Sequence, residues 1–118
     1  MKQGKIVQAY KLMEELAPNK ELNEQEQWDL YQLRKNLKKH WEFQEEREEA
    51  LRSKYVEFVD DKGMVTGEIA NAFTRELNTL GDMDIELESF DKPKIRFVKG
   101  IPFTTAEALE DFIEFVKS

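Results

Sequence analysis

Residues 23–55, NEQEQWDLYQLRKNLKKHWEFQEEREEALRSKY, contain neither glycine nor proline, and nearly every position outside the apolar seam is a good helix former. One long helix is therefore expected here, with the rest of the chain arranged round it. Asn23 is placed to cap the free backbone N–H groups, and Glu26 three positions on completes a capping box. Leu22 and Gln27 fall at hydrophobic-staple positions, but Gln27 is polar and no staple is expected. Leu30, Leu33, Leu37 and Trp41 follow at spacings of three and four, on one face. The seam lapses at Gln44 and Glu48 and resumes at Leu51, Tyr55 and Phe58. Such a helix is roughly 50 Å long at about 1.5 Å per residue. A domain of this size has a radius of gyration of about 13 Å, so it is only ~26 Å across. The polar middle of the helix is thus expected to project, or to be covered by another subunit.

Charge along the helix is sorted in blocks. Arg34, Lys35, Lys38 and Lys39 precede Glu42, Glu45, Glu46, Glu48 and Glu49, with Arg47 among the acids. This order opposes the helix macrodipole, which favours acids early and bases late. A second copy running antiparallel would set basic block against acidic block, so a homodimer through the long helix is one expectation. A solvated face without a partner is the other.

The balance of the 118 residues bounds the function class. Charged residues make up 36%, the formal charge is −7, mean hydropathy is −0.71 and the pI is near 4.9. General binding to nucleic acid or to an anionic membrane is disfavoured, because both would repel the chain. Eight Phe, two Trp and three Tyr supply enough bulk for a core. The absence of cysteine removes disulfide and thiolate chemistry, and there is no apolar run of membrane-spanning length and no signal-peptide pattern. One domain, 1–118, is expected, with a helical hairpin over 1–55 and a small α+β subregion over 56–118.

In chain order, residues 5–17 predict a first helix with Ile6, Tyr10, Met13 and Leu16 on one face, ended by Pro18. The short link makes it an antiparallel hairpin with the long helix, Leu22 filling the corner; so short a first helix covers only the Trp28–Trp41 half. Residues 56–65 are open between a hairpin turning at Gly63 and a frayed helix end with a loop. Thr66 caps a third helix with Ile69, Phe73, Leu77 and Leu80, stopped by Gly81. Met83, Ile85 and Leu87 alternate with Asp84, Glu86 and Glu88, which predicts a strand over 83–90 returning through 94–99 as a small antiparallel sheet. Thr104 with Glu107 forms a second capping box for a closing helix carrying Ala106, Leu109, Phe112, Ile113 and Val116. The fold class read from this is α+β: an antiparallel helical hairpin with one long projecting helix, a third helix, a small antiparallel β-sheet and a C-terminal helix.

Chemistry finds little footing. His40 is the only histidine, and Leu37 stands where a Glu-x-x-His metal motif would need Glu. His40 is expected on the helix flank, partly exposed, beside water or a carboxylate. The acids at 42–49 lie round a projecting helix, where they stay solvated rather than acquiring the raised pKa of a catalytic acid. The five glycines stand apart, so no phosphate loop is formed. No enzyme, cofactor or metal is expected. The Arg34–Lys39 block beside Trp41 has the look of a small nucleic-acid patch but reads more simply as the polar face of an amphipathic helix. Asp84, Glu86 and Glu88, about 6.5–7 Å apart along one strand face, would suit a DNA decoy, or a charged edge strand protected from aggregation.

The order of segments carries a resemblance. A helix ending in "LAPNKEL", the long helix "LRKNLKKHWEFQEEREEALRSKY", an acidic "DDKG" turn, "AFTRELNTL", "MDIELESF" and "TTAEALEDFIEF" succeed one another. This layout, over about residues 5–117, resembles a set of small uncharacterised proteins of tailed phages and prophages of Gram-positive bacteria; the usual Tyr-Gly after the long helix is here Tyr55-Val56. The resemblance brings no catalytic residues. It implies a bacterial cytoplasm during infection or lysogeny. Two functions are then expected to compete. One is a stoichiometric protein-binding module, inhibiting a bacterial defence protein or chaperoning phage assembly, with Arg34, Lys38, Trp41, Glu45 and Glu49 as its partner face. The other is an acidic DNA mimic using Asp84, Glu86 and Glu88.

Overall fold

The computed structural model describes residues 1–55 and 67–118; the hairpin or loop read around Gly63 and the Thr66 cap lie outside the described residues. Its elements in order are α1 (Gln3–Leu16), α2 (Glu24–Tyr55), α3 (Gly67–Gly81), β1 (Lys94–Phe97), α4 (Phe103–Ala108) and β2 (Glu114–Lys117).

The helical hairpin forms as its periodicity dictates. Ile6, Tyr10, Met13 and Leu16 of α1 are buried, and Leu22 is buried in the corner. The capping box of α2 is complete: Asn23 Oδ1 accepts from the Glu26 N–H at 2.8 Å, and Glu26 Oε1 accepts from the Asn23 N–H at 3.0 Å. Leu30, Leu33 and Leu37 enter one core with Ile6, Met13, Leu16, Ile95, Ile101, Leu109, Phe112 and Ile113. Trp41 closes the edge of that core by stacking on Tyr10, ring centroids 5.1 Å apart. The molecule measures 50 × 30 × 19 Å with a radius of gyration of 17.2 Å. A 32-residue helix runs about 48 Å, so α2 matches the long dimension.

α1 covers more of α2 than its length suggested. It begins at Gln3, and the Gln3 amide donates to the His40 carbonyl at 2.7 Å and approaches Gln44 Oε1 at 3.5 Å. Gln44 is itself buried and donates to Glu48 at 2.8 Å. The apparent gap in the seam is thus a buried amide contact, in which the Gln3 and Gln44 N–H groups find acceptors where an apolar residue was expected. Gln3 Oε1 is left without a partner among the described residues. Beyond it α3 takes over, with Phe73 meeting Tyr55 edge-on at 5.4 Å. Gly81 does not stop α3 by adopting positive φ, which only Gly67 and Gly100 show among the described glycines. The backbones of α1 and α3 cross closely there, and it is the glycine on α1 that faces the crossing: a Cβ on Gly4 would stand 3.4 Å from the Gly81 carbonyl oxygen.

The second half of the chain departs from the sequence reading in two places. Residues 83–90 do not pair with 94–99. Among the described residues their only bridge is Lys2 to Asp84, antiparallel, supported by Gln3 N–H to Met83 O at 2.8 Å and Ile85 N–H to Met1 O at 2.7 Å. Ile85 and Leu87 still pack on the core while Asp84, Glu86 and Glu88 are exposed, so the alternation reports which side faces inward and no ladder. The expected antiparallel sheet is instead a parallel pair, β1 with β2, in register from Lys94–Glu114 to Phe97–Lys117. The closing helix also stops early. α4 follows Pro102 without a side-chain cap, so the Thr104–Glu107 box is not made, and Val116 lies in a strand. Leu109, Phe112 and Ile113 remain fully buried because the turn after α4 also drops them into the core. Phe115 then sets its ring against Phe97 across the sheet, 6.4 Å away and edge-on.

Candidate functional site

The five residues read as a partner face separate into different roles. Arg34 places its guanidinium 4.4 Å above the Tyr10 ring and 3.5 Å from the Glu14 carboxylate, so it clamps α1 to α2. Trp41 stacks on that same ring. Lys38 is exposed, with Glu42 at 3.8 Å one turn on. Glu45 is half-buried, and Glu49 is exposed and held by Arg52 at 3.1 Å. The structure therefore gathers Arg34, Lys38 and Trp41 near Tyr10, and leaves Glu49 about 12 Å farther along the helix from Trp41 at 1.5 Å per residue.

The most exposed aromatic pair on α2 was not singled out by periodicity. Trp28 and Tyr31 each leave 57% of their surface open, with ring centroids 5.7 Å apart. Both sit on the side of the helix away from Leu30, Leu33 and Leu37, at i and i+3. Tyr31 continues into a depression of about 260 Å³ lined by Tyr10, Arg34, Lys35 and Lys38. Two π faces and three cations thus adjoin on one rigid helix of a chain whose formal charge is −7. The sequence signal was available: large aromatics at helical spacing on the polar face are unusual because they cannot reach the core.

The acidic row proposed as a decoy is electrostatically mixed. Lys2 Nζ lies 3.9 Å from Asp84, and Lys39 Nζ lies 3.9 Å from Glu88. Among the described residues only Asp84 of the row shares the bridge with the N-terminus, so no rigid strand sets their spacing. His40 is half-buried at the helix flank, beside a cleft of about 40 Å³ shared with Leu87 and Phe90. Burial first, and the Lys39 charge second, push its pKa down, which favours the neutral imidazole.

One ionic feature escaped the sequence reading altogether. Glu26, expected only to cap, also accepts from the Arg96 backbone N–H at 2.8 Å and from its guanidinium at 2.8 Å, while Arg96 donates to the Glu21 carbonyl at 2.9 Å. The Arg96 side chain is the chief reason the Glu26 pKa falls to about 2, against the opposing effect of burial. This pair fixes β1 to the start of α2, and hence the sheet beside the Trp28–Tyr31 turn.

No family model, curated protein or solved structure matches the chain. Among the described residues, no group of three or more His, Asp or Glu side chains is placed to hold a metal ion, and no helix is long and apolar enough to cross a membrane.

Proposed function

We propose that this chain is a non-enzymatic protein-binding module of the phage or prophage kind, acting stoichiometrically on a host or phage protein in the bacterial cell. Inhibition of a defence protein and chaperoning of assembly are the two roles that suit such a module. The observation that carries the reading is the open Trp28–Tyr31 pair beside Arg34, Lys35 and Lys38. Exposed Trp and Tyr next to cations are the residue types that dominate binding energy at protein interfaces. Local positive charge on an acidic chain selects an acidic partner segment with an apolar or aromatic side chain to lay on the rings. A duplex or anionic bilayer is a poorer match, since the surplus of negative charge repels both.

The experiment is a capture from a bacterial host lysate with paired variants. Trp28→Ala/Tyr31→Ala and Lys35→Glu/Lys38→Glu are expected to release the captured protein, while Asp84→Asn/Glu86→Gln/Glu88→Gln keeps it. The opposite pattern would overturn this reading in favour of the DNA mimic. Self-association through α2 is read separately, by sedimentation at several salt concentrations; a monomer throughout removes the homodimer.

A further inference from the structure

A second site lies on the other half of α2, and nothing in the protein-binding reading uses it. Phe43, Arg47, Ala50, Leu51 and Lys54 recur at spacings of three and four along one face of α2. With Glu76, Thr79 and Leu80 of α3 and Met83 just beyond it, they line a groove of about 380 Å³. Its volume falls in the range of about 300–1,000 Å³ typical of small-ligand sites. From Phe43 to Lys54 it runs about 16 Å, at 1.5 Å per residue, so it is long rather than round. Its walls are largely hydrocarbon, yet Met83 keeps 40% of its surface open and Leu51 is only half-buried.

The charges round the groove are unequal. Lys54 is committed to Glu76 at 2.6 Å, and Glu76 also takes a hydrogen bond from Tyr55, which together hold its carboxyl below the usual range. Glu48 and Glu49 on the same helix are held by Arg52 at 3.2 and 3.1 Å. Arg47 has no carboxylate within 4.0 Å among the described residues, and lies 5.3 Å from the Phe43 ring centre. A guanidinium without an acid partner at the lip of a hydrocarbon groove is matched by an oxyanion on an alkyl chain. Of the near acids, Glu76 in the groove wall is paired with Lys54 and Glu48 with Arg52, which leaves Glu46, exposed beside Arg47, as the main local opposition. Charges more than about 8 Å away are screened at physiological salt.

We infer that the α2–α3 groove binds a single-chain anionic amphiphile of the fatty-acid class, its chain along Phe43, Leu51, Leu80 and Met83 and its carboxylate on Arg47. The site is independent of the Trp28–Tyr31 face, so either can fail without the other.

The test is calorimetric titration and methyl NMR of the full chain with decanoate below its micelle concentration, with decanol and acetate beside it. Decanoate is expected to saturate at one per chain and to shift Leu51, Leu80 and Met83 methyls, while acetate does nothing. Arg47→Met should weaken decanoate at least tenfold and leave decanol unchanged. Ala50→Trp, a solvent-side change that fills the groove, should abolish both; Thr79→Trp serves if it does not fold. Trp28→Ala/Tyr31→Ala should change nothing. Equal affinity for decanoate and decanol, indifference to Arg47→Met, or shifts confined to other faces would each overturn the assignment. So would binding to phosphatidylglycerol vesicles without binding to monomeric decanoate, which would make the source a lipid surface.

Discussion

From Glu24 to Trp41 the long helix sets Leu30, Leu33 and Leu37 against α1 and the sheet, whereas from Glu42 to Tyr55 it has α3 for a neighbour and buries only Gln44 and Tyr55. The first half is held by close packing from several elements. Among the described residues the second half is held by a buried amide contact, an edge-on aromatic pair and the Lys54–Glu76 ion pair. One continuous helix can therefore be a core element at one end and a surface element at the other, because helix continuity is local while burial is decided by neighbours. The exposed features differ accordingly: aromatic and basic beside the tight half, and an open hydrocarbon groove beside the loose one.

The sharpest way to break this comparison is to truncate the same residue type in each half. Leu37→Ala should cost about 3–4 kcal/mol, since its fully buried side chain leaves a cavity. Leu51→Ala, half-buried, should cost about 1 kcal/mol or less. Urea denaturation reads both, and equal losses would mean that the halves are packed alike.

Next in size is the ion pair at the tight end. Glu26→Gln should cost about 1.5–3 kcal/mol from lost charge-assisted hydrogen bonds. Because the folded-state pKa of Glu26 is depressed to about 2 from 4.5, its contribution is full above about pH 4.5 and is lost as pH falls towards 2. The stability gap between wild type and Glu26→Gln should close over that window; a gap that persists at pH 2 would assign the loss to shape rather than charge.

Smaller still is the junction between the halves. Gln44→Ala should cost about 1 kcal/mol by leaving the buried Gln3 amide short of an acceptor, while Gln3→Leu/Gln44→Leu is closer to neutral because that amide goes with its partner and Glu48 keeps Arg52 in both. Smallest is Trp28→Ala/Tyr31→Ala, within about 0.5 kcal/mol on stability because both rings are mostly solvated, even as it removes partner capture.

How much of this could be read beforehand follows from the range of the interactions. The hairpin was legible because capping and the 3.6 period are local signals, as Asn23, Glu26 and the Leu30–Leu37 seam show. The sheet was not. Residues 83–90 alternate because one side faces the core, but their hydrogen-bond partner is the N-terminus, far away in sequence. Leu109, Phe112, Ile113 and Val116 have helical spacing, yet a turn followed by a strand buries the first three equally well. Short strands depend on their neighbours more than on themselves. At the candidate site, Arg34 and Trp41 were legible as conspicuous residues but not as the two that grip Tyr10, which requires knowing how α1 lies on α2.

The Glu26–Arg96 contact joins residues 70 apart in the chain. Closing so long a loop is slow relative to forming two adjacent helices, so the helical hairpin should assemble early and receive the C-terminal strands afterwards. Interactions made after the rate-limiting barrier govern how fast a protein comes apart rather than how fast it forms. The carboxylate at the start of α2 would then act as a latch on lifetime: stopped-flow traces of Glu26→Gln should show accelerated unfolding with refolding nearly untouched.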